Sequence, residues 1–521
     1  MVRYHAMRNR FETFLLIRCL LLGVGGMLVV TLSAAAQPAS GPWTLEQCLE
    51  YGLKHHPAIR SADAAVNASR ARIGSTRSGM GTKVSIQSNF TRNRQEFRRA
   101  GISGSNDLTD STSNGISVRK TLTDSGQTSA KLNAANMDFS ASRAGRSWND
   151  VTTAVTIKTV YYKALQAMAQ VGVQENLLQS YEVHLNKVRG FVDVGTRAPY
   201  DITKALVDVA NTKVSVIKAQ SEARNMMSEL AKAVGYEGFI EVASQPDFLK
   251  LIQPELDSER LIEEALSRPD IAQIKFQVDA ANHRLTGTKR GLNPTLSSTA
   301  GYDWSGTASP LDRSWSVGMQ LSVPVLDGKL NKYSVEEQRN SLEQTRSTLD
   351  QQRLSVRAEV ETAVTGVRDA FQRLEASEIL LKQAAESLSL AEGRFDAGLG
   401  SPIEITDARA AFSSARGSHI TAYYDSLIAL TALDRSLGLM PAEAGGLSPW
   451  TTGAVTDETI SESEIASITT DLNYPSTGTT GIATPGSGTA ELDGKSATNS
   501  SDSAAVSATP AAPEANHEVK K

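Results

Sequence analysis

Cysteine is nearly absent from this chain of 521 residues, which contains only Cys19 and Cys48. Cys19 lies in an N-terminal segment that we expect to be removed, so the remaining protein has one cysteine and can form no internal disulfide. An exported protein without disulfides must obtain its stability from packing or from assembly.

Long apolar runs are lacking after residue 36. The chain begins with four arginines, an apolar run from Cys19 to Leu32 and small residues before Gln37, which is the order of a secretory signal peptide. We expect cleavage after Ala36, and a retained membrane anchor is the alternative. No later segment reaches the roughly 18 apolar residues of a transmembrane helix, so we expect any membrane span of the mature protein to consist of strands.

The sequence also lacks a basic surface and the common catalytic motifs. Its formal net charge is −4, which excludes the positive field that nucleic-acid binding requires. The seven histidines include no pair at the spacing of three or four residues that places two metal ligands on one helix face. Phosphate-binding loops and nucleophile elbows are absent. We expect no enzyme, no cofactor and no metal site, and we interpret the adjacent His55 and His56 as solvated side chains, with metal binding in a surface loop as the alternative.

What the sequence does contain is an internal repeat. At a shift of 203 residues, Gly195 falls on Gly398 and Pro199 falls on Pro402, and the superposition continues without a gap through most of the two halves. Repetition at a fixed shift indicates a tandem duplication.

Each half contains a long segment with apolar or small residues at spacings of three and four, which is typical of a coiled-coil seam. In the first half this segment runs from about 126 to 194. A helix of that length extends about 100 Å at 1.5 Å per residue, which no single compact domain encloses. From the heptads alone, a cytoskeletal or adaptor-like coiled-coil rod is an open alternative.

A glycine followed four residues later by a proline interrupts the helical pattern in each half, at Gly195 and Pro199 and again at Gly398 and Pro402. The glycine supplies the left-handed residue that ends a helix, and the proline fits the first turn of the next helix. We interpret each interruption as a tight tip that joins two antiparallel helices.

Two segments with alternating apolar residues precede each long helix, and their intervening residues are mostly Ser, Thr, Gln, Asn and Gly. Their apolar residues are Val84, Ile86 and Phe90, then Ile116, Val118 and Leu122, and in the second half Leu296, Tyr302 and Trp304, then Trp315, Val317, Met319, Leu321, Val323 and Val325. Such segments match strands of an outer-membrane barrel, and two hairpins in a soluble sheet are the alternative. Since small barrels need about eight strands, four strands cannot close one; we expect several chains to share one barrel, and a trimer would supply twelve strands.

These patterns divide the chain into five parts: a signal peptide (1–36), a first repeat (37–245), a connector (246–257), a second repeat (258–441) and a tail (442–521). The tail has 3 basic and 11 acidic residues and no apolar periodicity. We expect it to be disordered, because it cannot bury enough apolar surface to offset the entropy of ordering.

Over roughly Trp43 to Met440 the chain resembles the TolC-like outer-membrane efflux protein family. The resemblance rests on the opening from Trp43 to Leu49 with His56-Pro57, on the order of elements in each repeat and on the two tips. It implies a mainly α fold with a membrane β-barrel portion, in which a homotrimer forms a 12-stranded barrel from four strands per chain and a periplasmic barrel from long coiled-coil helices.

The resemblance further implies a passive outer-membrane channel of a tripartite efflux or type I secretion system. The implied partners are a periplasmic adaptor protein and an inner-membrane transporter, together with outer-membrane lipid. A periplasmic coiled-coil interaction protein without a barrel is the alternative.

The resemblance also assigns roles to tip residues. Glu404 and Asp407 match two positions where aspartates constrict the aperture of the family's best-known channel, which implies an acidic gate; a purely favourable interaction with the helix macrodipole is the alternative. Gly400 stands where an arginine often tethers the closed aperture, and Arg197 retains that arginine in the first tip alone. The residues expected at the helix tips and the adaptor-docking surface are Gly195, Arg197, Pro199, Asp201, Gly398 and Pro402.

Overall fold

The computed structural model describes residues 41–95, 107–243, 248–249, 251, 253–254, 256–307, 311–397, 399–440 and 459–460. The predicted signal peptide, Gly398 and the tail apart from 459–460 lie outside the described residues. The helices are α1 (Leu45–His55), α2 (Pro57–Arg77), α3 (Gln127–Asp193), α4 (Pro199–Val234), α5 (Ser258–Ala265), α6 (Pro269–Lys289), α7 (Leu330–Asp396) and α8 (Pro402–Leu437), with a 3₁₀ turn at Ser78–Met80. The strands are β1 (Lys83–Gln95), β2 (Asp107–Thr123), β3 (Phe248–Leu249), β4 (Thr295–Gly306), β5 (Asp312–Ser322) and β6 (Thr459–Ile460).

The helix boundaries reproduce the repeat. α3 and α7 contain 67 residues each, α4 and α8 contain 36 each, and both pairs begin and end 203 positions apart. A helix of 67 residues is about 100 Å long, as the heptad pattern predicted. None of the described helices has the length and apolar character of a membrane-spanning segment.

The two long helices begin with matching caps. Asp124 precedes α3 and accepts hydrogen bonds from the backbone N–H groups of Gly126 and Thr128, at 3.1 and 2.6 Å. Asp327 precedes α7 and accepts from the N–H groups of Lys329 and Asn331, at 3.0 and 2.7 Å. Each carboxylate accepts hydrogen bonds from N–H groups that have no partner within the helix. The connection from strand to long helix therefore has the same structure in both halves.

Helix packing divides the long helices into two hairpins, α3 with α4 and α7 with α8, and contacts between α3 and α8 join the hairpins. Nearer the strands, α2 and α6 pack against α3, and α6 also packs against α7. Fully buried aliphatic side chains fill the seams, each worth about 1.5–3 kcal/mol relative to exposure. They include Ile157, Leu230, Val356, Val360, Val364, Val367 and Leu433.

The four longer strands form one antiparallel sheet in the order β1-β2-β4-β5. Its register places Ile86, Ile116, Tyr302 and Trp315 in one row, so the apolar sides of the strands combine into one face. Ile86 is 78% exposed and Trp315 is 76% exposed, so no other part of the described chain covers this face. The predicted alternation is therefore confirmed, and the opposite face is polar.

Three details of the strands differ from the prediction. The last strand ends at Ser322, so Val323 and Val325 lie beyond it, where Asp327 begins to cap α7. The register between β2 and β4 shifts between Thr121 and Thr123, which removes Leu122 from the regular alternation.

The third difference lies outside the main sheet. β3, in the connector, pairs with β6, in the tail that we expected to be disordered. The expectation of disorder is wrong at Thr459 and Ile460 and stays a prediction for the rest of the tail. Pairing across more than 200 positions leaves no local signal in segments of two residues.

Candidate functional site

The first tip is a helix end stabilised by a left-handed glycine. Gly195 has φ +77° and donates its N–H to the carbonyl of Val192 at 2.9 Å. The N–H of Thr196 donates to the carbonyl of Phe191, also at 2.9 Å, which completes a Schellman motif at the end of α3. Pro199 is the first residue of α4. The turn predicted from glycine and proline is present.

The second tip repeats this design. The N–H of Leu399 donates to the carbonyl of Arg394 at 2.9 Å, which is the equivalent hydrogen bond at the end of α7. The Ser401 hydroxyl accepts a hydrogen bond from the backbone N–H of Ile403 at 3.3 Å, and Pro402 is the first residue of α8. Gly398, predicted as the left-handed residue of this tip, is outside the described residues.

Gly400 and Arg197 occupy equivalent positions but are used differently. A Cβ at Gly400 would lie 2.8 Å from the backbone N of Phe395, so this tip approaches the last turn of α7 too closely for a side chain. The guanidinium of Arg197 instead lies 5.4 Å from the centre of the Phe395 ring, in a cation–π arrangement. The arginine of the first tip therefore contacts the second hairpin.

Phe395 is the aromatic centre of the contact between hairpins. It is 7% exposed and belongs to α7, whereas its aromatic neighbours Phe191 and His184 belong to α3. Each of the two ring centres lies 6.1 Å from that of Phe395. Aromatic pairs in this distance range contribute about 0.5–1.5 kcal/mol beyond the burial of their area.

Arg409 forms a buried polar connection between the hairpins near the tips. It is 6% exposed, and its Nη2 donates to Oε1 of Glu392 on α7 at 2.8 Å. Its Nη1 donates to the backbone carbonyl of Ser180 on α3 at 3.2 Å. The equivalent residue of the first half, Leu206, is 44% exposed. A buried guanidinium requires partners of this kind, because an unpaired buried charge costs several kcal/mol.

A weaker ion pair lies at the end of the same contact. Nζ of Lys187 on α3 lies 3.9 Å from Oδ1 of Asp396, the last residue of α7, and both side chains are more than half exposed. An exposed pair of this kind contributes about 0–1 kcal/mol. We use the name interhairpin clamp for the five residues Lys187, Arg197, Phe395, Asp396 and Arg409.

His184 is buried beside the clamp. Burial, as the largest cause, and the positive charges of Arg409, Lys187 and Arg197 together lower the pKa of its imidazole from 6.5 to about 4. The ring is therefore neutral near pH 7, where it packs against Phe395 without adding charge to a basic environment.

The predicted gate residues lie on the first two turns of α8. Glu404 and Asp407 are exposed, whereas Ile405 and Ala408, the residues that directly follow them, are buried in the hairpin. Oε2 of Glu404 lies 3.8 Å from Nε of Arg394, in an ion pair whose side chains are both about half exposed. The carboxylates are thus not used in packing and are available at the surface of the tip.

The remaining predicted tip residue, Asp201, lies in the first turn of α4, where its negative charge favours the helix dipole. Its N–H donates to the carbonyl of Ala198 at 3.0 Å, and it makes no contact with the clamp among the described interactions. The structure therefore brings Arg197 to the second tip but leaves Asp201, Pro199 and Pro402 within their own turns.

The sequence patterns do not predict a functional role for Phe395 or Arg409. Phe395 occupies a seam-spaced apolar position, which predicts packing alone. The available signal for Arg409 was its position four residues after Ile405 and three before Phe412, where a coiled-coil seam predicts an apolar residue. In the described part of the chain, no group of three or more His, Cys, Asp or Glu side chains is placed to hold a metal ion.

Comparison with known proteins agrees with this architecture. The family model described as outer membrane efflux protein matches residues 49–236 and 261–439. The first matched segment runs from α1 to just beyond α4, and the second from α5 to just beyond α8. The two matched segments thus correspond to the two repeats.

Individual relatives are distant but extensive. The probable outer membrane lipoprotein SilC of Salmonella typhimurium is 22% identical over 68% of this chain and 77% of its own length. Protein CyaE of Bordetella pertussis is 23% identical over 76% of this chain and 83% of its own length. The structure of the open state of the Neisseria gonorrhoeae MtrE outer membrane channel matches with a TM-score of 0.64 at 16% identity, over 76% of this chain and 89% of that chain. At this identity the structural match concerns the fold.

Proposed function

Because the chain belongs to the outer membrane efflux protein family, we propose that it is the passive outer-membrane duct of a tripartite efflux or type I secretion system. In this proposal a homotrimer forms a closed β-barrel in the membrane and a helical barrel in the periplasm. A periplasmic adaptor and an inner-membrane transporter engage the tips and supply the energy for export.

The observation that carries the proposal is the four-stranded sheet. β1 and β5 each have one edge that pairs with no described strand, and the apolar face of the sheet is uncovered. An open apolar sheet of this kind is stable in lipid only if every strand edge is paired. Three copies joined from β5 to β1 supply twelve strands and leave no edge.

The helices support the same assembly. α3 and α8 lie between α4 and α7, so α4 and α7 form the two sides of the four-helix layer. Both sides carry exposed apolar residues at roughly helical spacing, which a neighbouring copy would cover. On α4 these are Tyr200, Leu206, Val207, Val214 and Ile217, and on α7 they are Leu354, Ile379, Leu380 and Leu390.

In the trimer, Glu404 and Asp407 form the gate. Three copies place six carboxylates around the aperture, where they repel one another when ionised and attract cations. Their exposure and their absence from the hairpin core support this role. If they served the helix macrodipole alone, their removal would leave ion flow unchanged.

The interhairpin clamp holds the resting aperture. Its contacts join α3 and the first tip to α7 and α8 within one chain. Widening the aperture requires the two hairpins to separate, so an adaptor opens the duct by replacing these contacts with its own.

The experiment that tests the duct is fractionation followed by single-channel recording. We expect a heat-resistant trimer in the outer-membrane fraction that forms pores in planar bilayers. A monomer in the soluble periplasm would contradict the proposal and support a coiled-coil interaction protein instead.

A second experiment tests the gate. We expect Glu404→Ala with Asp407→Ala to raise single-channel conductance and to weaken block by multivalent cations. Glu361→Ala removes an exposed carboxylate of α7 that lies 35 residues before the end of the helix, and it should change neither quantity. Unchanged conductance and block in the double variant would remove these carboxylates from the gate.

A further inference from the structure

Two basic residues face each other across the first two strands of the sheet. Lys83 on β1 is the direct register partner of Arg119 on β2, and the row continues through Thr299 on β4 and Gly318 on β5. Both basic side chains are exposed, and the two positions that follow them in the row are small. The row therefore combines two adjacent cations with open space beside them.

The pleat places this pair on the polar face. The next register pair, Val84 with Val118, belongs to the apolar face, and successive residues of a strand point to opposite faces. In the proposed barrel the apolar face contacts lipid, so Lys83 and Arg119 face the lumen. They lie at the end of β1 and β2 that is nearer the helices, which is the periplasmic end.

The pairing of two cations is unfavourable by itself. Like charges directly opposite each other destabilise a sheet, by about 0.2–1 kcal/mol for pairs of this kind. Within the described part of the chain, neither Lys83 nor Arg119 has an ion-pair or hydrogen-bond partner for its side chain. Elsewhere on the same two strands Arg92 faces Asp110, with hydrogen bonds of 2.7 and 2.8 Å. The unpaired cations are therefore a local exception to the charge pairing of this hairpin.

Carboxylates occupy the opposite end of the same face. Asp303 shares a row with Gly115 and Ser314, and Asp312 pairs with Ser305 in the next row of that face. Asp303 is four residues beyond Thr299, which corresponds to roughly 13 Å along the strand at 3.3 Å per residue. The polar face is thus basic at its periplasmic end and acidic at its outer end.

We propose that Lys83 and Arg119 form a basic ring inside the barrel that binds anionic groups, carboxylate or phosphate, of the exported cargo. The inference rests on the proposed trimeric duct, in which three copies supply six cations around the lumen. Rings of Lys and Arg favour anions in other pores, and luminal substitutions tune selectivity in membrane barrels. The long helices separate the ring, at the periplasmic end of the barrel, from the acidic gate at Glu404 and Asp407.

Screening determines how the ring acts. The field of an exposed charge extends about 8 Å at physiological ionic strength and about 30 Å at 0.01 M salt. In a barrel of twelve strands, which is wider than the side-chain-filled barrels of about eight, the ring therefore holds anions near the wall in physiological salt. In dilute salt its field spans more of the lumen and affects the whole ion current.

The experiment is block of the purified full-length trimer in planar bilayers by inositol hexakisphosphate, at about 0.01 M and about 1 M KCl, the two limits of strong and weak field. We expect block in dilute salt and its loss in concentrated salt. Lys83→Gln with Arg119→Gln should weaken the block roughly tenfold, the equivalent of about 1.4 kcal/mol. Persistent block in this heat-resistant double variant would overturn the proposal.

Matched variants separate the ring from nonspecific charge effects. Lys120→Gln removes a cation from the residue next to Arg119, whose side chain belongs to the apolar face, and it should leave the block unchanged. An equal loss of block in Lys120→Gln would also overturn the proposal. Lys83→Arg with Arg119→Lys keeps both charges and should keep the block, while Asp303→Asn should strengthen it. A protein that forms no pore contradicts the duct itself, whereas a pore without polyanion block contradicts only the ring.

Discussion

The two tips have nearly the same backbone but different chemistry. Both end the first helix with an equivalent hydrogen bond and begin the second with a proline. The first tip carries Arg197 where the second has Gly400, which has no room for a side chain. The second carries Asp407, where the first has Lys204. The backbone of the turn is thus the same in both copies, whereas the side chains differ. The first tip carries a cation, and the second carries carboxylates and the aromatic ring that this cation contacts.

The same divergence occurs one and two turns into the helices. Arg409 and Glu392 pair within the second hairpin, while the equivalent positions of the first half are Leu206 and Arg189. Because the halves are no longer equivalent, they make contacts that two identical hairpins would not make with each other.

The largest effect is expected from Arg409→Ala. It leaves Glu392 without its buried partner and the Ser180 carbonyl without its donor. Breaking a buried ion pair costs about 3–5 kcal/mol, so the amides at the start of α8 should exchange with solvent much faster. Hydrogen exchange of the trimer in detergent measures this change.

Arg353→Ala is the matched control for Arg409→Ala. Arg353 pairs with Asp350 on α7, but both side chains are largely exposed, so the loss should be about 0–1 kcal/mol. Equal protection of α8 in the two variants would mean that Arg409 does not hold the hairpins together.

Acid should weaken the clamp through His184. Its folded-state pKa of about 4 lies below the ordinary value of 6.5, so the unfolded or opened tip binds a proton first as the pH falls. The contribution of neutral His184 to the stability of the tip is fully present above pH 6.5 and decreases by about 1.4 kcal/mol per pH unit toward pH 4. Hydrogen exchange measured at pH 7 and pH 5, and corrected for intrinsic rates, should show that the free energy of opening the tip is about 2 kcal/mol lower at pH 5.

His184→Gln should abolish this pH dependence at the tip. His55→Gln, which changes an exposed histidine of α1, should retain it. If the tip of His184→Gln still weakens between pH 7 and pH 5, another group is responsible.

A smaller effect is expected from Gly195→Ala. Nothing lies within 4 Å of a Cβ at this position, so the cost arises from the positive φ alone and amounts to about 1–2 kcal/mol. Gly190→Ala is the control, because Gly190 lies in the last turn of α3 with equally open space, and alanine should stabilise the helix by about 1 kcal/mol. The two alanines should therefore shift the denaturation midpoint in opposite directions, and shifts of the same sign would contradict the role of the turn.

The smallest effect is expected from Arg197→Ala. Arg197 is partly exposed, so its cation–π contact with Phe395 contributes about 0.5–1 kcal/mol, and Arg197→Lys should retain part of it. Arg189→Ala removes an exposed arginine of α3 that has no described partner. The frequency of spontaneous opening in single-channel records should rise for Arg197→Ala and stay constant for Arg189→Ala; equal changes would indicate a general charge effect.

Periodicity predicted much of this fold because the relevant information is local. The segment predicted from 126 to 194 is observed as Gln127–Asp193, and the alternation of the strands fixed which face is apolar. The clamp was not predictable in the same way. A heptad pattern shows that a residue faces a partner helix but not which helix, so it does not show that Phe395 meets the first tip, and it predicts an apolar residue where Arg409 stands. The close approach at Gly400 depends on the path of the tip and leaves no pattern in the sequence.

The central claim is that the two hairpins of one chain must separate for the duct to open, and a reducible bridge across the clamp tests it most directly. Lys187→Cys with Asp396→Cys places two thiols at positions whose native side chains meet at 3.9 Å. A short bifunctional thiosulfonate can then join them. Burial raises the pKa of the Cys48 thiol to about 12, so the native cysteine does not compete.

We predict that bridged trimers stay at resting conductance in the presence of the adaptor and that reduction restores opening. The single-cysteine variants, treated identically, should open throughout. Bridged trimers that open and export as readily as reduced ones would contradict the account.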